Sequence, residues 1–481
     1  MNNYSNFKEI ILYKYSKGSI SIIIVLLSSL FIIPSHSQTE IDSLKQIEYR
    51  EIAEQFVSSA LKERKGYEAL QNLCRIGPRL SGSKNSLIAI NWAKNKMIEM
   101  GFDSVWLQPV LVPHWERGNI QKAMIVNSKN FTGIELNILA LGGSVGTPPE
   151  GIAANVIEVK SFEELEKRKD EVKGKIVFFS KPLDQTLLNT FSAYGSAVKQ
   201  RVYGGIEGAK YGAVGFIIRS VTTKFDTVPH TGVMFYADSL PRIPGVAAGY
   251  EDADLLSAVL KKDPEMKLAL QLNCETLPDA ESYNVIGEIR GTEYPDEIIV
   301  VGGHLDSWDV GDGAHDDGAG CMQAIEVVDL FNRLNIKPKR TIRVVLFINE
   351  ENGSRGAKEY EVFTQSSEQT HLAAIESDRG AFTPEGFNIN TDSTRIIENI
   401  KTWLPYLNLA GISWIRKGGS GSDISKIKNA KLLIGYVPDD QRYFDFHHSP
   451  SDVFEEVNPR EFELGTAAMA ILAYLLSEEG L

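Results

Sequence analysis

The sequence predicts an α/β protein with a mostly parallel central sheet flanked by helices, and three observations lead there. From Tyr283 onward, near-continuous apolar runs such as DEIIVVGG, TIRVVLFIN, LAAIESD and KLLIGYV alternate with amphipathic stretches. Strands buried on both faces have this texture, because helices cover each side of the sheet. The intervening stretches place apolar residues at helical spacing, as in CMQAIEVVDLFNRL, GAKEYEVFTQ and TRIIENIKTWL, and a last helix begins at Pro459. At 481 residues the chain also exceeds what one core usually serves, so two or more structural units are expected.

Taken in order, residues 1–37 carry lysines at 8, 14 and 17, an apolar run from Ile20 to Ile33, and small residues Ser35 and Ser37 before the expected cut. The run is too short to span a bilayer, so the segment reads as a secretory signal peptide and the protein as secreted or periplasmic, with no stable membrane insertion. Residues 44–102 read as helices, ending at the stop signal Gly101. From about Pro113 the texture changes to short β-like runs punctuated by Gly and Pro. Here GKIVFFSKP gives a strand, AKYGAVGFIIRS a second strand with its preceding helix, and LPRIPGVAAG a Pro-marked turn into another strand, while SFEELEKRKDEVKG is the wet face of a surface helix. The expected organisation is a catalytic domain of residues 38–117 and 281–481, interrupted by a β-rich inserted domain at 118–280.

Composition removes several function classes. The formal charge of −13 argues against nucleic acid or an anionic membrane as partner, since both require clustered Lys and Arg. Three cysteines, Cys74, Cys274 and Cys321, are too few for a disulfide framework. A Cys74–Cys274 bridge stays open, and Cys321 reads as a small core residue. The GGSVG at Gly142–Gly146 fits a serine-nucleophile pattern, but TPPEG follows and forbids the helix that motif needs.

The chemistry gathers where the strands end. After EIIVV come His304 and Asp306, then Asp316 and Asp317; after TIRVVLFIN come Glu350 and Glu351. Asp378 follows LAAIE, and His447 and His448 follow KLLIGYV and a short loop. Ligands in open α/β sheets sit outside the carboxyl ends of the strands. So many acids at one edge would repel one another and raise one another's pKa values, and divalent cations remove that conflict. Imidazole and carboxylate together suit zinc, with a shared carboxylate between two ions.

On GPRLSGSKN, VPHWERG, GTPPEGI, IIRSV, PHTGV, GGHLDSWDVGDGAHDDG, PKRTIRVVLFINEENG, ESDRGAF and FHHSPSDV, the chain resembles the two-zinc aminopeptidase-like metallopeptidases over nearly its whole length after the leader. The resemblance implies a zinc-exopeptidase fold with a protease-associated-like insertion, two zinc ions per chain and a homodimer. It makes His304 and Asp378 ligands of one zinc and Glu351 and His448 of the other, with Asp316 bridging. Glu350 falls on the general base that activates the zinc-bound water, and Asp306 on the partner that orients His304. It further implies a cis peptide bond between Asp316 and Asp317, and a short-peptide substrate, most simply a dipeptide with free termini.

The chain departs from the family pattern at His315, where an apolar residue is expected; a loop-packing role suits it better than ligation. His447 stands where relatives place an oxyanion-stabilising tyrosine, and reads equally as a donor to that charge or as a packed histidine. Asp423 in GGSGSDIS reads as a helix cap, with reception of a substrate amine as the alternative. Two other functions compete: a non-catalytic receptor-like member of the fold, which would have lost ligands, and a glutaminyl-cyclase-like acyltransferase with a single zinc.

Overall fold

The computed structural model describes the backbone of residues 36–481 and side chains from Leu44 onward. The expected leader, but for the backbone of its last two residues, lies outside the described residues. The chain divides into residues 1–47 and a compact unit, Glu48–Leu481, which contains every strand among the described residues.

The strands in chain order are β1 (Ser104–Glu116), β2 (Gln121–Val126), β3 (Glu135–Leu136), β4 (Ile138–Ala140), β5 (Ile152–Val159), β6 (Ile176–Phe179), β7 (Gly215–Arg219), β8 (Gly245–Ala248), β9 (Lys267–Leu272), β10 (Glu275–Ile289), β11 (Tyr294–His304), β12 (Arg340–Phe347), β13 (Thr370–Glu376), β14 (Pro384–Asn390), β15 (Trp414–Lys417) and β16 (Leu433–Pro438). They form two sheets, one ordered β1-β10-β12-β11-β13-β16-β14-β15 and the other β3-β2-β9-β5-β6-β7-β8-β4.

In the first sheet β12, β11, β13 and β16 run parallel side by side. The flanks are mixed: β1, β10 and β12 pair antiparallel, and so do β14 and β16. Alternate residues of the central strands feed two separate cores. Ile299, Val301, Ile342, Val344 and Leu346 enter one, which includes the helices Ala319–Arg333 and Pro459–Glu479. Ile298, Val300, Val345 and Phe347 enter the other, under the helix Arg355–Ser366. This explains why those strands read as unbroken apolar runs rather than alternating ones. Each such side chain contributes about 1.5–3 kcal/mol of burial.

The second sheet, from Gln121 to Leu272, repeats the design: Ile176 and Phe178 face one core, and Val177 and Phe179 the other. Its strands β5 to β8 are parallel; the helix Phe162–Lys167 joins β5 to β6, Thr190–Ala197 and Lys199–Lys210 join β6 to β7, a non-helical loop joins β7 to β8, and Tyr250–Lys262 follows β8. Residues 121–272 therefore mix helix and parallel strand where a β-rich stretch was expected. Two of the parallel connections cross over through helices, one of them rich in glycine. Cys74 and Cys274 are free and buried in different cores, and Cys321 is a buried core residue of the helix that follows the acidic loop.

Candidate metal centre

The parallel strands deliver their last residues to one edge. His304 ends β11, Glu350 and Glu351 leave the turn after β12, and Asp378 follows β13 by two residues. His447 and His448 come off the short helix Tyr443–Phe446 beyond β16. Between β11 and the helix Ala319–Arg333 the chain makes a π turn at Ala314–Gly318, and within it the Asp316–Asp317 peptide bond is cis.

Asp316 sits at the middle of the cluster. His304 Nε2 lies 3.3 Å from its Oδ1 and 3.6 Å from Asp378 Oδ1. On the other side, His448 Nε2 lies 3.3 Å from Asp316 Oδ2 and 3.1 Å from Glu351 Oε2. Two groups of donor atoms are thus close enough to hold an ion, His304–Asp316–Asp378 and Asp316–His447–His448, and Asp316 is common to both.

Positioning comes from the surrounding main chain and from a second ring of acids. His304 Nδ1 faces the Asp306 carbonyl at 2.9 Å, so the main chain of Asp306, rather than its side chain, orients the ring. The Asp306 carboxylate instead accepts the Glu350 N–H at 3.1 Å. Asp317 accepts the amides of His304 and Gly320, each at 3.0 Å. Gly303 makes that approach possible, since a Cβ there would lie 2.1 Å from Asp317 Oδ2. Asp452 accepts the amides of both His315 and Asp316.

The residues left ambiguous by the sequence take definite places. His315 stacks between Phe382, at 4.5 Å, and Phe446, at 5.1 Å, and its Nδ1 accepts the Ala381 N–H. His447 is buried and stacked on His448 at 3.5 Å, with Nε2 3.9 Å from Asp316 Oδ2. Asp423 makes no capping hydrogen bond, and both carboxylate oxygens are buried without a partner. The turn Ile424–Lys426 is held instead by Glu376, which accepts the amides of Ser422, Asp423 and Ile424; the sequence reading missed it. Ser144 is buried and accepts the Gly245 N–H, a structural serine.

The electrostatics are those of a buried acid cluster. Burial, with the nearby Asp316, pushes Glu351 well above the usual carboxylate range. Burial and other acids push Asp378 up to about 6 and Glu376 up to about 8. Burial works against His304, yet hydrogen bonds to Asp316 and Asp378 carry it well above an ordinary histidine. Burial, followed by the neighbouring His447, pushes His448 well down, which keeps its ring neutral as ligation requires. Asp316 Oδ2 and Glu351 Oε1 are buried with no hydrogen-bond donor. Buried acceptors of this kind, beside the neutral imidazole of His448, fit divalent zinc.

A cleft of about 560 Å³ opens over the cluster. One wall carries Glu350, Glu351 and Ser354; the other carries Tyr194, Arg201 and Phe235 from the inserted segment. Ser422 donates its hydroxyl to Glu350 Oε1. The inserted segment also reaches the histidine pair directly, since Thr231 N–H donates to the His448 carbonyl at 2.9 Å and His230 Nδ1 contacts the His447 carbonyl at 2.7 Å.

Fold and donor set together define a metallopeptidase, and residues 284–474 match Peptidase family M28. Carboxypeptidase Q of Bos taurus is 36% identical over 420 residues, 86% of each chain, and that of Homo sapiens 37% identical over the same shares. The chain belongs to this family and is a carboxypeptidase Q-like metallopeptidase. Among solved structures, a Peptidase M28 precursor from Shewanella amazonensis superposes with a TM-score of 0.85 at 34% identity, covering 89% of this chain and 96% of that one. A zinc aminopeptidase from Bacillus subtilis shares the fold at a TM-score of 0.61 and 18% identity, covering 86% of this chain and 96% of that one.

Proposed function

We propose that the chain is an exported exopeptidase with two zinc ions, acting on dipeptides or short peptides. One observation carries the reading: Asp316 is shared by two groups of donors, one with His304 and Asp378 and one with His447 and His448, Glu351 Oε2 lies 3.1 Å from His448 Nε2, and Glu350 stands beside them on the cleft wall. His304, Asp316 and Asp378 would hold one ion, and Asp316, Glu351 and His448 the other. Zinc, when bound, polarises the scissile carbonyl and lowers the pKa of the attacking water.

The protein's own residues do the rest. Glu350 accepts the water's proton and then passes it to the leaving amine, a role worth about 10²- to 10⁴-fold. Its position is supported from two sides, by the Ser422 hydroxyl on Oε1 and by Asp306 on its main-chain N–H. His447 lines the cleft as a neutral imidazole, since burial and the nearby Arg201 hold its pKa well down. From there it can donate to the charge developing on the carbonyl oxygen. The retained ligands and base speak against a receptor-like role.

In the same reading, residues 118–280 form a protease-associated-like domain whose Tyr194 and Arg201 wall the cleft, residues 38–117 and 281–481 form the catalytic domain, and the enzyme works as a homodimer. Export rests on the character of residues 1–37, and among the described residues no helix is long and apolar enough to cross a membrane. The test is hydrolysis of a dipeptide panel by the purified mature chain, with zinc analysis, a chelator control, light scattering for the dimer and a glutaminyl-cyclisation assay alongside. Chelator-sensitive hydrolysis with two zinc ions per chain is the expected result. Cyclisation without hydrolysis, or a single zinc, would overturn the reading.

A further inference from the structure

The loop between β7 and β8 belongs to the inserted segment, yet its polar groups end on the turn that carries the histidine pair. Thr222 donates its hydroxyl to the Phe444 carbonyl and Thr223 donates to the Asp445 carboxylate, each at 2.7 Å. His230 Nδ1 meets the His447 carbonyl at 2.7 Å, and the Thr231 N–H donates to the His448 carbonyl at 2.9 Å. Thr222, His230 and Thr231 are buried. The loop is fastened in turn to its own sheet. The His230 N–H donates to Ser220 Oγ at 2.8 Å, Ser220 donates to the Ala248 carbonyl at 2.6 Å, and Thr231 Oγ1 donates to the Ala140 carbonyl at 2.8 Å.

What this grip holds is an uncommon backbone. His448 has φ +61°, in the left-handed region that non-glycine residues seldom occupy. A residue keeps such a conformation where its surroundings over-determine it. The His447 and His448 carbonyls belong to the two planar peptide units that flank the His448 Cα, so pinning both of them fixes φ and ψ of that residue. With the backbone so fixed, His448 Nε2 lies 3.3 Å from Asp316 Oδ2 and 3.1 Å from Glu351 Oε2. His230 is suited to its part. Burial pushes it from 6.5 down to about 4, so the ring is neutral and carries one proton. A carbonyl oxygen accepts and does not donate, so that proton sits on Nδ1, and Nε2 is buried with no partner among the described residues.

Resting on the two-zinc reading, we propose that His230 and Thr231 are positioning residues for the ion assigned to Asp316, Glu351 and His448, so that the inserted segment completes the metal centre as well as walling the cleft. Neither supplies a ligand atom; both act through the backbone of His448. The ion assigned to His304, Asp316 and Asp378 does not depend on this clamp. His304 ends β11, Asp378 follows β13, and the Asp306 carbonyl orients the His304 ring. Asp316, common to both ions, is held by Asp452 and not by the inserted segment. Loosening the clamp therefore releases one ion and leaves the other.

The experiment measures the affinity of each zinc ion by competition with a chromogenic chelator, in the wild-type protein and in His230→Leu, His230→Asn, Thr222→Val and Ser257→Ala. The wild type should bind two ions. His230→Leu should weaken one of them about 10- to 100-fold and leave the other unchanged. His230→Asn keeps a side-chain N–H donor in the place of Nδ1 and should restore most of the lost affinity. Thr222→Val keeps the shape but drops the bond to the Phe444 carbonyl, and should weaken the same ion by a smaller factor; it decides the matter if His230→Leu does not fold. Ser257→Ala removes a hydroxyl that the inserted segment gives to its own Glu158, and should change neither affinity. Glu351→Ala removes a ligand of the ion in question, so adding His230→Leu to it should cost the remaining ion nothing. Unchanged zinc affinity in Thr222→Val, or in a folded His230→Leu, overturns the clamp. So does an equal loss at both ions, or no recovery in His230→Asn. A wild-type protein that binds a single zinc overturns the two-zinc reading itself.

Discussion

Asp452 accepts the main-chain N–H of Asp316 at 3.1 Å with one carboxylate oxygen while the other takes the N–H of His315 at 2.7 Å. The residue common to both donor groups is thus held by its backbone from a loop more than a hundred positions away. Its own side chain is left to face His304 and His448.

That arrangement predicts a metal phenotype for a residue that touches no metal. Asp452→Asn keeps the shape but has one acceptor oxygen for two amides, so the Asp316 backbone loosens. Zinc affinity should fall about 10- to 100-fold, the usual cost of disturbing the residues behind a ligand. Competition with a chromogenic chelator measures it, and unchanged affinity would refute the role.

Arg79 holds the preceding stretch of the same loop. Its buried guanidinium donates to the carbonyls of Leu305, at 2.6 Å, and Gly313, at 2.8 Å, and also to that of Asp312. Arg79→Met leaves these acceptors without their donor, at about 1–3 kcal/mol for each that stays buried. A loss on the order of 3 kcal/mol or more in urea unfolding is expected, together with weaker zinc binding. A loss below about 1 kcal/mol would mean that water replaces the arginine.

Much of this was readable in the residue order because strand-end chemistry is local. The unbroken apolar runs of β11, β12 and β13 locate the edge, and His304, Glu350, Glu351 and Asp378 fall at or just past their last residues. Asp452 and Arg79 lay inside motifs that were legible, yet their tasks depend on contacts between distant segments. Arg201 was hidden for another reason. Its helix, KQRVYGGIEGAK, carries three glycines, and nothing in that local pattern points to the cleft. Those glycines are there because Gly204 and Gly205 pack against Phe216 and Gly208 against Ala213, so tertiary packing outweighs their poor helix propensity. The mixed flanks of the first sheet were equally illegible, since β1 pairs with the distant β10 and β14 inserts between β15 and β16.

Acid sensitivity can be predicted away from the metal centre. His371, on β13, is buried, with Nε2 3.1 Å from the Tyr360 hydroxyl, and Arg343 close by. Burial first, then the Arg343 charge, pushes it from its ordinary value of 6.5 down to about 4. Between those values the unfolded chain binds a proton that the folded chain does not, so stability falls as pH drops through that window and is fully present above it. His371→Asn should be less stable at pH near 7 but should lose less Tm between about pH 6.5 and 4 than the wild type. Parallel Tm profiles for the two proteins, both zinc-free, would show that another group carries the effect.

The last prediction separates two neighbours that residue type alone cannot distinguish. Glu350 and Glu351 leave the same strand end in succession, so their side chains diverge. Glu351 is buried with Oε2 3.1 Å from His448 Nε2, while Glu350 lines the cleft under the Ser422 hydroxyl. Glu350→Gln preserves shape but cannot take a proton, so it should keep its zinc, still bind substrate, and lose about 10²- to 10⁴-fold in kcat. Glu351→Ala removes a donor from one group and should lose zinc from that site, a defect that added zinc partly restores. Metal analysis beside steady-state kinetics on the two variants decides between them. If Glu350→Gln sheds zinc while Glu351→Ala retains its full complement, the two residues have exchanged roles, and Ser422 supports a ligand rather than the base.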